Sequence, residues 1–168
     1  GPTLSVDVLH SGTVSAAREA SLYGLPSISV SLATYSHQDY RDSVEATLRL
    51  VDRLSEALEE PRNILRPEGS RIIPPKGTDS NSIRSWFLQG NLFLNVNIPE
   101  VWEDSFQTVP LGARWYYNAT DMIERDSVGV AFEVGAARIV NEDIEMTDCN
   151  VVGSGIASIT PLASWPQN

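Results

Sequence analysis

The stretch LSVDVLHSGTVSAAREASLYGLPSISVSL, Leu4 to Leu32, decides how the chain is read. Leu4, Val6, Val8 and Leu9 make residues 4–9 a short strand or extended segment. Ser11-Gly12-Thr13 then opens a helix to about Tyr23, with Ser11 or Thr13 as its N-cap. Ala16, Ala17 and Ala20 are small enough to let that helix lie close to a sheet. Gly24 suits the residue after a helix end, and Pro26 blocks continuation. Ile28, Val30 and Leu32 alternate with Ser27, Ser29 and Ser31, the period of a strand. Extended segment, helix and strand in that order are the unit of a parallel α/β sheet.

Working outward, Asp42 or Ser43 caps a second helix that runs to about Glu60 and stops at Pro61. Its apolar positions, Val44, Leu48, Val51, Leu54 and Leu58, fall on one helical stripe, which predicts the buried face. Residues 61–82 hold Pro61, Pro67, Pro74 and Pro75 and read as a long loop. Leu92, Leu94, Val96 and Ile98 alternate with Phe93, Asn95 and Asn97 in a strand stopped by Pro99. After Pro99 the texture changes. Arg114–Asn118 and Val128–Val134 are β-rich, and 113–145 shows no helix, so hairpins are expected there. Residues 156–162 form a final strand. This divides the chain into residues 1–99, the second part of an α/β core, and 100–168, a β-hairpin-rich extension ending in a strand.

Bulk composition narrows the function. The 168 residues suffice for one domain with a sizeable core. Net charge is −10, from 22 acids against 12 bases, which argues against a nucleic-acid polymer as partner. A small phosphorylated ligand remains compatible, because one local donor cluster holds a phosphate. Cys149 is the sole cysteine, so no internal disulfide or all-thiolate metal site exists. That fits a reducing compartment such as the cytoplasm. No apolar run reaches the roughly 18 residues of a membrane helix.

Four groups of residues are candidates for chemistry. Ser11-Gly12-Thr13 lies at a turn into a helix, where N–H groups are unpaired and the helix dipole favours an anion. It reads either as a phosphate-binding turn or as an ordinary cap. His10 and His37 are candidate ligands or bases but lack a metal-ligand spacing, so a structural role is the simpler reading. Glu142, Asp143, Glu145 and Asp148 form an acidic run without the spacing of a calcium loop; it reads as a solvated or structural segment, against a cation site. Asn95 and Asn97 share one face of their strand, as satisfied core polar groups or as part of a site at the sheet's carboxyl edge.

Residues 1–20, GPTLSVDVLHSGTVSAAREA, resemble the stretch G-P-N-L-G-x-D-V-x-Y/H-S-G-T-V-x-A-A-x-E-G of the SurE survival proteins. Gly24–Ser31 is similar to that family's G-L-P-A-I-A-V-S, and Leu94–Pro99 to its L-N-V-N-V-P. Thr147-Asp148 and Ser158–Leu162 resemble its T-D and S-V/I-T-P-L ending. The four motifs stand in the family's order and span nearly the whole chain, as its C-terminal two-thirds.

The resemblance implies a Rossmann-like, mostly parallel sheet with helices on both faces and a β-rich C-terminal oligomerisation extension. It implies a metal-dependent 5′-nucleotidase, or acid phosphatase, that hydrolyses nucleoside monophosphates with Mg²⁺ or Mn²⁺ and assembles as a homodimer or homotetramer. The family's metal ligands are expected upstream of Gly1, none of them in this chain, which by itself is then inactive. By matching position, Ser11, Gly12 and Thr13 are the phosphate-facing residues. A non-catalytic remnant that keeps the scaffold and the oligomer surface is the alternative. Two residues depart from the pattern: Thr3 replaces an asparagine and Ser5 a glycine. If that glycine needs positive φ, serine there is strained.

Overall fold

The computed structural model describes residues 1–36, 39–58, 65–66, 79–124, 129–134 and 138–165. Most of the loop expected over 61–82, and His37, lie outside them.

The expected strand at 4–9 is not formed. Ser5–Leu9 is a 3₁₀ helix, because the Asp7 carboxylate accepts the Leu4 N–H at 3.1 Å and the chain closes on itself. A local side-chain bond of this kind competes with a ladder. From Ser11 the chain enters α1, Gly12–Leu22, and then β1, Ile28–Leu32, as the pattern predicts.

The second helix, α2, spans Arg41–Ser55, shorter at its end than predicted. Its N-cap is Tyr40, which makes no side-chain cap bond, so neither Asp42 nor Ser43 caps it. Its buried residues are Ser43, Ala46 and Leu50. Most of the predicted stripe faces outward instead: Val44 is 53%, Leu48 60% and Val51 43% exposed, while Leu54 packs partly against the core. Ala46, with a single methyl, lets the helix approach the sheet. A further helix, α3 at Ser80–Leu88, begins inside the expected loop. Asp79 caps it by accepting the N–H groups of Asn81 and Ser82, each at 3.1 Å.

The chain then forms β2, Leu92–Ile98, buried along its whole length. A short strand, β3 at Phe106–Thr108, follows. Next come β4 (Arg114–Tyr117), β5 (Thr120–Glu124), β6 (Val130–Val134) and β7 (Arg138–Asn141). β5 pairs antiparallel with β6, and β4 with β7, two two-stranded ribbons of which the first lies within the second along the chain. A six-residue helix, α4 at Asp148–Gly153, leads into β8, Ala157–Ala163.

The main sheet has the order β1-β2-β8-β3. β1 runs parallel to β2 and β3 parallel to β8, while β8 is antiparallel to β2. The fold is α/β with a mixed, mostly parallel sheet. One apolar cluster joins Leu92, Leu94, Val96 and Ile98 to Ala46, Leu50 and Phe87 of α2 and α3. Phe93, on the opposite face of β2, packs with Val8, Val14 and Ala17. Gly90 and Gly24 have φ of +67° and +85°, and a Cβ on Gly90 would come within 2.6 Å of Gly24. This backbone contact lets the end of α1 meet the start of β2. Among the described residues no helix is long and apolar enough to cross a membrane.

Candidate functional site

Along the second face of the sheet, apolar residues give way to polar ones toward the carboxyl ends of β1 and β2. Ser29 lies opposite Asn95 and Ser31 opposite Asn97, while Thr160 and Ser158 continue the two rows on β8. Asn95 and Asn97 are fully buried. Both amides donate to the Thr3 carbonyl at 2.8 Å, and Asn97 Oδ1 accepts the Thr3 N–H at 2.7 Å. The threonine hydroxyl meets Ser31 Oγ at 2.9 Å. The asparagine pair is therefore satisfied, and it also clamps the opening segment over the sheet edge where ligands bind in open α/β sheets.

That segment leads straight into the Ser11 turn. Ser11 is the N-cap of α1, and its Oγ accepts the Val14 N–H at 3.2 Å. The N–H groups of Gly12 and Thr13 belong to the first turn and have no intrahelical acceptor. Gly12 and Thr13 are exposed, and nothing lies within 4 Å of where a Gly12 Cβ would stand. Ser11 borders a cavity of about 560 Å³ with Thr3, Asp7, His10, Tyr35 and Tyr116. Thr13 borders a second, of about 290 Å³, and Gly1 and Tyr35 border both. The turn thus presents two hydroxyls, free N–H groups and a helix N-terminus to an open concavity. That arrangement suits an anion.

The sequence reading missed a chain of polar side chains beside this turn, largely buried at Asp7 and Arg114 and exposed at its tyrosines. Asp7 Oδ2 receives Arg114 Nη1 at 2.7 Å, and the two side chains are only 11% and 6% exposed. Tyr116 donates its hydroxyl to Asp7 Oδ1, and the Tyr35 and Tyr116 hydroxyls meet at 3.4 Å. Arg114 also donates Nε–H to Asn141 Oδ1 at 2.8 Å. Burial first, then the hydrogen bond to Asp7, pushes the Tyr116 phenol up, which keeps it a neutral donor at physiological pH. Asp7 and Arg114 stand 107 positions apart, and no local pattern links them.

Asp148, the last acid of the 142–148 run, is fully buried. Its carboxylate accepts the N–H groups of Gly112 at 2.6 Å, Cys149 at 2.7 Å and Ser5 at 2.8 Å. Glu142, Asp143 and Glu145 are exposed and apart from it in environment. His10 lies at the cavity edge as the C-cap of the 3₁₀ helix. Burial, with Asp148 beside it, pushes the Cys149 thiol up to about 12, so it is no nucleophile at neutral pH. The donors in place do not suit a divalent cation, which takes several free oxygens. Asp7 and Asp148 are already engaged, and no group of three metal-ligating side chains occurs among the described residues.

A family model described as "Survival protein SurE" matches residues 1–120. The chain is 33% identical over 165 residues to the "5'-nucleotidase SurE" of Synechococcus sp. (strain JA-3-3Ab), covering 96% of this chain and 52% of that protein. To the protein of the same name from Heliobacterium modesticaldum it is 32% identical over 166 residues, covering 96% and 50%. The chain spans about half the length of the curated relatives it matches. The crystal structure of the SurE protein from Aquifex aeolicus aligns with a TM-score of 0.64 at 24% identity, over 100% of this chain and 57% of that one. That likeness speaks to the fold.

Proposed function

Because the chain belongs to the SurE survival-protein family, we propose that the protein it forms part of is a 5′-nucleotidase acting on nucleoside monophosphates, with Ser11, Gly12 and Thr13 taking the phosphate. The observation that carries this reading is the open N-terminus of α1, facing two cavities at the carboxyl edge of a mostly parallel sheet. The names of the relatives supply the reaction class.

In this reading the first-turn N–H groups and the two hydroxyls hold the non-reacting phosphoryl oxygens. Donors fixed in place before the reaction stabilise the charge that develops during it. The Asn95–Asn97 clamp on Thr3 keeps the opening segment from shifting as the phosphate enters. A Mg²⁺ or Mn²⁺ ion belongs to the reading through the family, and no step is assigned to it from the residues described. Assembly as a homodimer or homotetramer, and action in the cytoplasm, belong to it on the same footing.

The test must separate phosphate binding from helix capping, since Ser11 does cap α1. Ser11→Ala would confound the two, because losing a cap costs about 1 kcal/mol. Ser11→Gly costs only a few tenths of a kcal/mol as a cap while removing the hydroxyl. Thr13→Val removes a hydroxyl that makes no cap bond. In the full-length protein each variant is expected to lower turnover of a nucleoside monophosphate by roughly 10²-fold, the usual cost of one such donor. Melting temperatures should change little. Unaltered turnover in both variants would end the phosphate-turn reading.

A further inference from the structure

An anion that enters the cavity beside Ser11 meets a carboxylate there. Asp7 is the acidic group among the described residues of that lining, and the chain as a whole carries −10. A bare carboxylate several ångströms from a phosphate repels it by an amount comparable to the gain from one good donor. Both Asp7 oxygens are occupied, however. Arg114 Nη1 sits 2.7 Å from Oδ2, and the Tyr116 hydroxyl donates to Oδ1. Both partners come from β4, two residues apart on one face of the strand. The guanidinium is braced from the paired strand β7 by Asn141 at 2.8 Å. The burial of both charges leaves little solvent to screen one if the other were removed.

We propose that Arg114 is a positioning residue for anion binding: by cancelling the charge of Asp7 and holding Tyr116 against it, the β4–β7 ribbon sets the electrostatics of the phosphate cavity. This rests on the phosphate reading of Ser11–Thr13. Arg114 does not line the cavity beside Ser11 but a separate one, with Leu4 and Asn141, and acts on the ligand through Asp7.

The experiment is a calorimetric titration of the full-length protein with inorganic phosphate at low and high salt. Wild type, Ser11→Gly, Asp7→Asn, Arg114→Gln and the Asp7→Asn/Arg114→Gln pair are compared. Arg114→Gln should weaken binding on the order of tenfold at low salt, as expected for one uncovered charge at this range. Salt should shrink the difference only in part, because the Asp7 carboxylate is largely buried. The double variant should return to within about threefold of wild type, because its cavity is again neutral. Asp7→Asn, which leaves Arg114 uncancelled, should bind phosphate more tightly than wild type. If Arg114→Gln does not fold, Asp7→Asn decides alone: equal or weaker binding overturns the proposal. So does a double variant that folds yet binds as weakly as Arg114→Gln, because the pair then acts by holding β4 in place. Failure of the underlying reading shows separately, as wild-type phosphate affinity in Ser11→Gly.

Discussion

Ser5 has φ of +52°, a left-handed conformation that costs a non-glycine residue roughly 1 kcal/mol or more. The family pattern places glycine here, and the strain expected of serine is present. What offsets it is visible in the side chain. Ser5 Oγ donates to the Gly112 carbonyl at 2.8 Å and accepts the Arg114 N–H at 3.0 Å. The serine therefore exchanges backbone ease for two bonds to the start of the ribbon. Ser5→Ala keeps the strain and loses both bonds, whereas Ser5→Gly loses the bonds and relieves the strain. Denaturant unfolding should show Ser5→Ala to be the less stable by about 1 kcal/mol; the reverse order would mean that the left-handed backbone at this position costs nothing. Asp148 is the second residue on which this junction depends. Asp148→Asn turns an NH₂ toward one of three N–H donors, and the lost charge-assisted bond should cost about 2–3 kcal/mol, read as a fall in melting temperature.

At the scale of elements, α2 shows how far periodicity reaches. The helix carries apolar residues at Val44, Leu48, Val51 and Leu54, the predicted stripe, and again at Ala46 and Leu50. Both sets have helical spacing, and the sequence reading chose the bulkier one. The sheet takes the other, because Ala46 allows closer approach and Leu50 fills the space over β2. Truncating each side chain distinguishes the faces. Leu50→Ala should destabilise by about 2–5 kcal/mol, whereas Leu48→Ala should stay within about 0.5 kcal/mol, as usual for an exposed site. The 3₁₀ turn at Ser5–Leu9 is a different kind of miss. Leu4, Val6 and Val8 alternate as a strand would, and the Asp7–Leu4 bond overrides the alternation. The start of α3 was in principle legible: Asp79 is a good N-cap, and Ile83, Trp86 and Phe87 follow at helical spacing. The run of prolines before it masked the signal.

For the whole molecule, the ribbon exposes Trp115 at 54% and Tyr117 at 46%. Exposed aromatics on a two-stranded ribbon invite pairing with another chain. Light scattering of the full-length protein is expected to give a mass above the monomer; a clean monomer at high concentration would contradict this. A second expectation concerns catalysis. The 168-residue chain alone should show no Mn²⁺-stimulated phosphatase activity, because its buried carboxylates Asp7 and Asp148 are already committed to Arg114 and to backbone N–H groups. Turnover that rises with Mn²⁺ and disappears on chelation would refute it.

Local pattern carried much of this protein. The helix from the Ser11 turn, strands β1, β2 and β8, and the β-rich ribbon follow from periodicity, capping residues and prolines within a few positions of each element. The four ordered motifs carried the family, because each is short and contiguous. Tertiary structure alone decided the rest. β8 returns between β2 and β3, antiparallel to β2, a pairing of residues some 65 positions apart in register such as Asn95 with Thr160. The same holds for the Arg114–Asp7 pair, the clamp of Asn95 and Asn97 on Thr3, and the three N–H groups that meet on Asp148. In each case a polar group buried by the fold must find a partner wherever the chain brings one, and that choice leaves no trace in the spacing along the sequence.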